Sequence, residues 1–284
     1  MAHWKRVVID SRHKTAESTS NADFAIQLPY NVQVPRGTKA YVDGVMISVS
    51  WGAVITGRND KLYLQEILAS ATTDYVAGTY NHSVTLPPGD YNTSTLEAQL
   101  EASLNLGTRL PGSYDVNLVG NSYQITNSSN VVTQGSARIF SNSPADLLEM
   151  RQNSLNLTGD ALNETIGHLT TSFPLHSTSQ PLRGKYVDLV PFKEIYIHAP
   201  TLGGESNMML PNGSSDCIKR MVVTGSSGDV IHDVLNHSLA PITFGTETTL
   251  SQLRFQIKDS RSRLLPMAGH EISFELLFHR PDDE

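Results

Sequence analysis

Apolar and polar residues alternate along much of this chain with the period of two that a strand with one buried face requires. Leu253, Phe255 and Ile257 alternate with Arg254, Gln256 and Lys258, and Ile272, Phe274, Leu276 and Phe278 alternate with Ser273, Glu275 and His279. These two runs predict the best-defined strands. Near the other end, Phe24, Ile26 and Leu28 alternate with Ala25 and Gln27, and Pro29 is expected to stop that strand. Between Lys39 and Trp51, the residues Val45, Ile47, Val49 and Trp51 share one face and Met46, Ser48 and Ser50 the other, while Gly44 predicts a bulge. A turn at Gly57-Arg58-Asn59-Asp60 precedes a shorter strand opening on Leu62, Tyr63 and Leu64.

The pattern changes between about residues 80 and 150. After a short strand at Ser83 to Leu86 and a Pro87-Pro88-Gly89-Asp90 turn, Leu96, Leu100 and Leu104 fall at i, i+4, i+8, the stripe of a helix. Ser94 and Glu97 have the spacing of a capping box at its start. Tyr114, Val116 and Leu118 alternate into Gly120-Asn121, and Tyr123 and Ile125 alternate out of it, predicting a tight hairpin. Ser143-Pro144 with Asp146 opens a short helix carrying Leu147 and Leu148. Residues 151–184 match no template, and strands resume at Tyr186 to Val190, at Ile195 to Ile197 and at Ile218 to Val223. The expected fold class is mainly β: a single jelly-roll β-sandwich with a small inserted α/β domain. Residues 1–20 form an N-terminal arm, 21–75 and 185–284 the jelly roll, and 76–184 the insert.

Composition removes several function classes. Among 284 residues, Cys217 is the one cysteine, so no internal disulfide can form, and it is expected as a small buried core residue. The formal net charge of -7 argues against a protein devoted to neutralising phosphates, so no specific nucleic acid is expected. The opening Met1-Ala2-His3-Trp4-Lys5-Arg6 leads to only Val7-Val8-Ile9 before Asp10, too little for a secretory signal, and synthesis in the host cytoplasm is expected. No histidine pair has zinc-helix spacing; His232 and His237 are five apart, and His270 and His279 are expected on an outer face. Gly225-Ser226-Ser227-Gly228 is one residue short of a nucleophile elbow and fits a hairpin turn instead. Asn-x-Ser/Thr triplets at Asn81, Asn127, Asn156 and Asn236 fit loop polarity. The chain is therefore expected to be no enzyme, with no catalytic residues, no cofactor and no metal. The candidate contacts are Trp4, an aromatic in a basic leader, with Lys5, Arg6 and Arg12 near one terminus and Arg254 and Lys258 near the other.

The order of features resembles a known family. The segment Ser20-Asn21-Ala22-Asp23-Phe24-Ala25-Ile26-Gln27-Leu28-Pro29, the long strand ending in Ser50-Trp51, and the run from Val84 through Pro87-Pro88-Gly89-Asp90-Tyr91-Asn92 into the leucine helix are similar to penton, or minor capsid, proteins of polinton-like viruses, virophages and related double-stranded DNA viruses. So is the close, from Leu253 to Asp259 and from Gly269 to Leu276. The resemblance implies a virion capsid protein whose homopentamers occupy icosahedral vertices. Its implied partners are itself, a double-jelly-roll major capsid protein, other minor capsid proteins, and a host receptor reached through the insert. The competing expectation is a jelly-roll receptor- or carbohydrate-binding module of a viral fibre or surface protein.

Overall fold

The computed structural model describes residues 5–72, 74–108, 110, 112–128, 135–139, 162–166, 181–202, 216–234 and 241–280. The first strands are β1 (Lys5–Asp10), β2 (Asp23–Val34) and β3 (Lys39–Ser48). They are followed by β4 (Lys61–Leu68), β5 (Gly78–Thr85), helix α1 (Thr93–Gly107), β6 (Tyr114–Val119), β7 (Ser122–Asn127), β8 (Gly135–Ile139), α2 (Asn163–Ile166) and β9 (Leu182–Arg183). The chain closes with β10 (Glu194–His198), β11 (Cys217–Val222), β12 (Val230–Asp233), β13 (Ile242–Thr243), β14 (Thr248–Asp259) and β15 (Ile272–His279). The protein is mainly β, and every ladder described is antiparallel.

Two compact units divide the chain: Met1–Trp51 with Phe192–Glu284, and Gly52–Pro191. These limits differ from the 75/76 and 184/185 read from the pattern. The reason is pairing, since β4 is laddered to β5 and β8, both in the second unit. An alternating run shows that a strand exists and leaves its partner open.

In the first unit one sheet has the order β1-β15-β3-β12, with β13 also on β3, and the other has the order β11-β10-β14-β2. Their apolar faces meet. Phe255 on β14 sets its ring edge-on to Phe274 on β15, with centroids 5.0 Å apart, and Phe24 on β2 lies 5.6 Å from Phe255. Leu253, Phe255, Ile257, Ile272, Phe274, Leu276 and Phe278 are all buried, as their alternation requires. This arrangement is that of a β-sandwich.

Two irregularities carry the alternation across breaks in phase. Buried positions on β3 are Ala40 and Val42 before Gly44 but Val45 and Ile47 after it. The ladder to β15 shifts at the same place, because Ser273 pairs Met46 while Glu275 pairs Asp43. Gly44 takes φ +56°, the left-handed conformation in which a bulge residue is best a glycine. Pro29 behaves differently from the expectation. Strand β2 does not stop there but runs to Val34, and the ladder to β14 jumps from Gln27 opposite Gln252 to Val32 opposite Leu250. Lacking an N–H, Pro29 sits in the stretch that the ladder skips.

The N-terminal segment is not a free arm. Residues Lys5–Asp10 pair with β15, and the polar stretch behind them folds onto its own chain. The Thr15 amide donates to the Ala25 carbonyl at 2.8 Å, and Asn21 Nδ2 donates to the carbonyls of Gly269 and His270 at 3.0 and 2.9 Å. Side-chain hydroxyls and amides there satisfy the backbone, a use of Ser, Thr and Asn that carries no hydrophobic period. The chain leaves this unit after Trp51 and re-enters at Phe192, and these two rings meet edge-on at 5.4 Å.

The second unit contains the sheets β5-β4-β8 and β6-β7-β9 together with α1. Leu96, Leu100 and Leu104 are fully buried among Leu62, Leu64, Tyr114, Tyr123 and Ile125. The helix starts earlier than expected. Asn92 is the N-cap, its Oδ1 accepting from the Thr95 amide at 2.9 Å while Thr95 Oγ1 accepts from the Asn92 amide at 3.0 Å. That reciprocal pair replaces the box read at Ser94 and Glu97; Asn and Thr make it with the same geometry. The hairpin β6–β7 turns at Gly120-Asn121 as expected, with Gly120 at φ +66°. Tyr186 to Val190 is not a strand: it runs extended, Val187 donating to the Asn121 carbonyl and Asp188 to that of Thr165. Asn127 is no loop residue either, but lies buried in β7, and Asn81 lies in β5. The short helix read at Ser143 to Leu148, with Asn156, Asn236 and His237, falls outside the described residues.

Candidate functional site

The basic residues singled out in the sequence fall on two strands and their flanks, all within the first unit. Lys5 and Arg6 lie on β1, at the end of the sheet order, where charge blunts an open edge. Lys5 Nζ sits 4.5 Å from the centroid of the Tyr30 ring, a cation–π contact. Arg6 Nε is 3.2 Å from Glu275 Oε2. Arg12 folds back on Asp10, its Nε 2.9 Å from Oδ2, while the Arg12 amide donates to Oδ1 at 2.9 Å. That guanidinium holds the Asp10 carboxyl below the usual carboxylate range. Trp4 lies outside the described residues.

Arg254 and Lys258 project from β14 in the other sheet, on the face opposite Phe255 and Ile257. Arg254 grips Asp23 with a fork, Nε to Oδ1 at 3.0 Å and Nη2 to Oδ2 at 2.9 Å, and lowers the Asp23 pKa chiefly through that hydrogen bond. Lys258 pairs in register with Tyr196, which in turn pairs Arg220, so a row Arg220–Tyr196–Lys258 crosses three strands. The Arg220 guanidinium pairs with Glu194, which also accepts from the Tyr196 hydroxyl at 2.6 Å. The sequence candidates thus form two places rather than one.

Three buried polar contacts were not anticipated. Glu66 shares the inner face of β4 with Leu62, Leu64 and Leu68 and is fully buried. Its carboxylate accepts from Tyr114 Oη at 2.8 Å and Thr108 Oγ1 at 2.9 Å, and lies 2.9 Å from His82 Nε2. Burial, with the Glu66 charge beside it, pushes the Tyr114 hydroxyl well above its usual pKa. The signal was present: Glu66 stands in phase with three leucines. Lys219, in phase with Cys217 and Met221, is likewise buried and pairs with Asp233 of the other sheet. His198, buried on β10, has Nδ1 2.8 Å from Asp216 Oδ1. The Glu66 and Lys219 contacts each join two sheets, as the pairing of buried charges requires.

Burial raises the Cys217 thiol to about 11, which leaves it an inert core residue. Gly225 to Gly228 is a turn, yet it links β11 to β12 in different sheets instead of closing a hairpin. His279 lies on the face of β15 opposite Phe274 and Phe278, as expected, but is buried there against the Tyr41 ring, centroids 5.3 Å apart. Among the described residues no group of three His, Cys, Asp or Glu could hold a metal ion. On the outer face of the β1-β15-β3-β12 sheet is an open cleft of about 210 Å³, bordered by Asp10, Arg12, Met46, Val230, Glu271 and Ser273.

No protein-family model matches the sequence, and no curated protein matches it. Among solved structures, the chain aligns with the crystal structure of the mavirus penton protein over 97% of its own length and 99% of that chain, at 10% identity and a TM-score of 0.48. It aligns with a chain from the cryo-EM structure of the Sputnik virophage over 99% of each, at 11% identity and a TM-score of 0.45.

Proposed function

We propose that this chain is a viral capsid structural protein, a penton whose homopentamers form the icosahedral vertices and contact a double-jelly-roll major capsid protein. Strand order supports the fold that this reading needs. With β13 set aside, the eight strands of the first unit, numbered along that unit, run 1-8-3-6 in one sheet and 5-4-7-2 in the other. Two chained Greek keys would give that order, which supports the jelly-roll reading. The second unit is then an insertion between its third and fourth strands, entering after Trp51 and leaving before Phe192. Because jelly rolls also serve lectins and enzymes, the fold alone does not select a capsid role. The segments that resemble penton proteins do, and they fall on β2, β3, β14 and β15 and on the approach to α1.

A five-membered ring is head-to-tail, so each subunit must offer two different complementary sides. Electron microscopy of the purified chain tests this reading. Class averages with five-fold rings are expected. Trimers that bind glycans would instead make the protein a receptor-binding module and overturn the proposal.

A further inference from the structure

The cleft on the β1-β15-β3-β12 sheet opens on the outer face of the first unit. Its floor is Met46, 48% exposed, and its rim includes Val230, 58% exposed. Val8, 65% exposed, lies on the same outer face. Its charges are unbalanced. Arg12 is engaged by Asp10 and Arg6 by Glu275, whereas Glu271 has no ion pair or hydrogen bond of its own among the described residues and feels Arg12 only at longer range. The site is a trough of mixed polarity, Met46 and Val230 supplying apolar surface beside the charged Asp10, Arg12 and Glu271. A flexible cation on an aliphatic stem fits it, the stem on Met46 and Val230 and the head at the carboxylate.

The same chain displays such a group on the outer face of the opposite sheet. Lys258 is half-buried there and, among the described residues, has no ion pair, while its neighbours Arg254 and Arg220 are committed to Asp23 and Glu194. Val222, 56% exposed, stands on the adjoining end of β11 and gives this face an apolar element of its own. The outer faces of two packed sheets point in opposite directions, so neither group can reach the other within one molecule. Two copies can bring them together, and the contact repeated head-to-tail closes a ring when the rotation from copy to copy divides a full turn.

We propose that the cleft bordered by Met46, Val230 and Glu271 receives Lys258 of a second copy of this chain. The inference rests on the homopentamer reading and names the two surfaces that reading needs. Charge exchange tests it. Oligomeric mass is measured across a concentration series for the full chain, for Lys258→Glu, for Glu271→Lys and for the two combined, with circular dichroism and thermal melting confirming that each is folded. The wild type is expected to be pentameric. Each single variant is expected to raise the concentration at the assembly midpoint about 10-fold or more, because like charges then face each other, and the combined variant to return it toward the wild-type value. Single variants that assemble as the wild type does would overturn the pairing, including the case in which they lose only a major capsid protein. Failure of the combined variant to recover would overturn it as well. A wild type that is not pentameric would overturn the reading beneath it, a result distinct from either.

Discussion

Phe255 and Phe274 stand edge to face across the two sheets of the first unit, their centroids 5.0 Å apart and their planes at 90°. Both rings are buried, and Phe274 belongs to the strand that closes the described chain while Phe24, also against Phe255, comes from near its start. This contact ties the two ends of the sequence into one core. Phe274→Ala is expected to cost about 3–5 kcal/mol through lost transfer energy and the cavity left behind. Phe274→Asp is expected to abolish soluble folding, since a carboxylate would be buried there unpaired. Urea unfolding of the first and soluble yield of the second measure these effects.

The carboxylate of Glu66 is the corresponding weak point of the second unit. Tyr114→Phe removes one charge-assisted hydrogen bond and should cost about 1.5–3 kcal/mol. Glu66→Ala should cost more, about 3–5 kcal/mol, because it strands the buried Tyr114 hydroxyl and removes the carboxylate from the His82 ring, while Thr108 Oγ1 keeps the Leu110 carbonyl as an acceptor. Denaturant midpoints of the two variants should fall in that order.

Acid stability follows from Asp23 and Asp10, whose folded-state pKa values are lowered by Arg254 and Arg12. In the unfolded chain each titrates near about 3.9. Between the folded and unfolded values the unfolded state binds more protons, so stability rises with pH in that window. Their contribution is present in full above the unfolded value and is lost as pH falls through the folded one. Thermal midpoints of Asp23→Asn should therefore decline less steeply than the wild type's below about pH 4.

Gly52 packs against backbone, and its substitution tests the second unit at the point where the chain enters it. A Cβ there would stand 2.3 Å from the Gly89 carbonyl oxygen, in a stretch where Val54 and Gly89 exchange two backbone hydrogen bonds of 3.0 Å. Gly52→Ala should cost about 1–3 kcal/mol, as overpacking does where backbone must move. Thermal melting measures it.

Much of this architecture was legible in the sequence, and the failures have physical reasons. Phe274, Phe255 and Phe24 announced their burial by alternation, and Leu96, Leu100 and Leu104 by helical spacing, because burial of one face is what those periods record. Gly44 marked its own bulge. Pro29 was misread as an end because a proline removes one donor from a ladder, and β2 absorbs that loss by skipping pairs. The polar stretch after Asp10 reads as part of an arm because its order comes from side-chain hydrogen bonds, which leave no hydrophobic pattern. Arg254 was legible as a cation, but not its partner, since the fork on Asp23 spans most of the chain. Lys219 and Glu66 stood in phase with apolar residues, and that phase was the clue to their burial.

The central claim is that this chain closes into a ring of five. Native mass spectrometry of the purified full chain over a range of concentrations tests it most directly. A species at five times the chain mass, formed cooperatively and without other partners, is the predicted result; a monomer at every concentration, or a stable trimer, would contradict it.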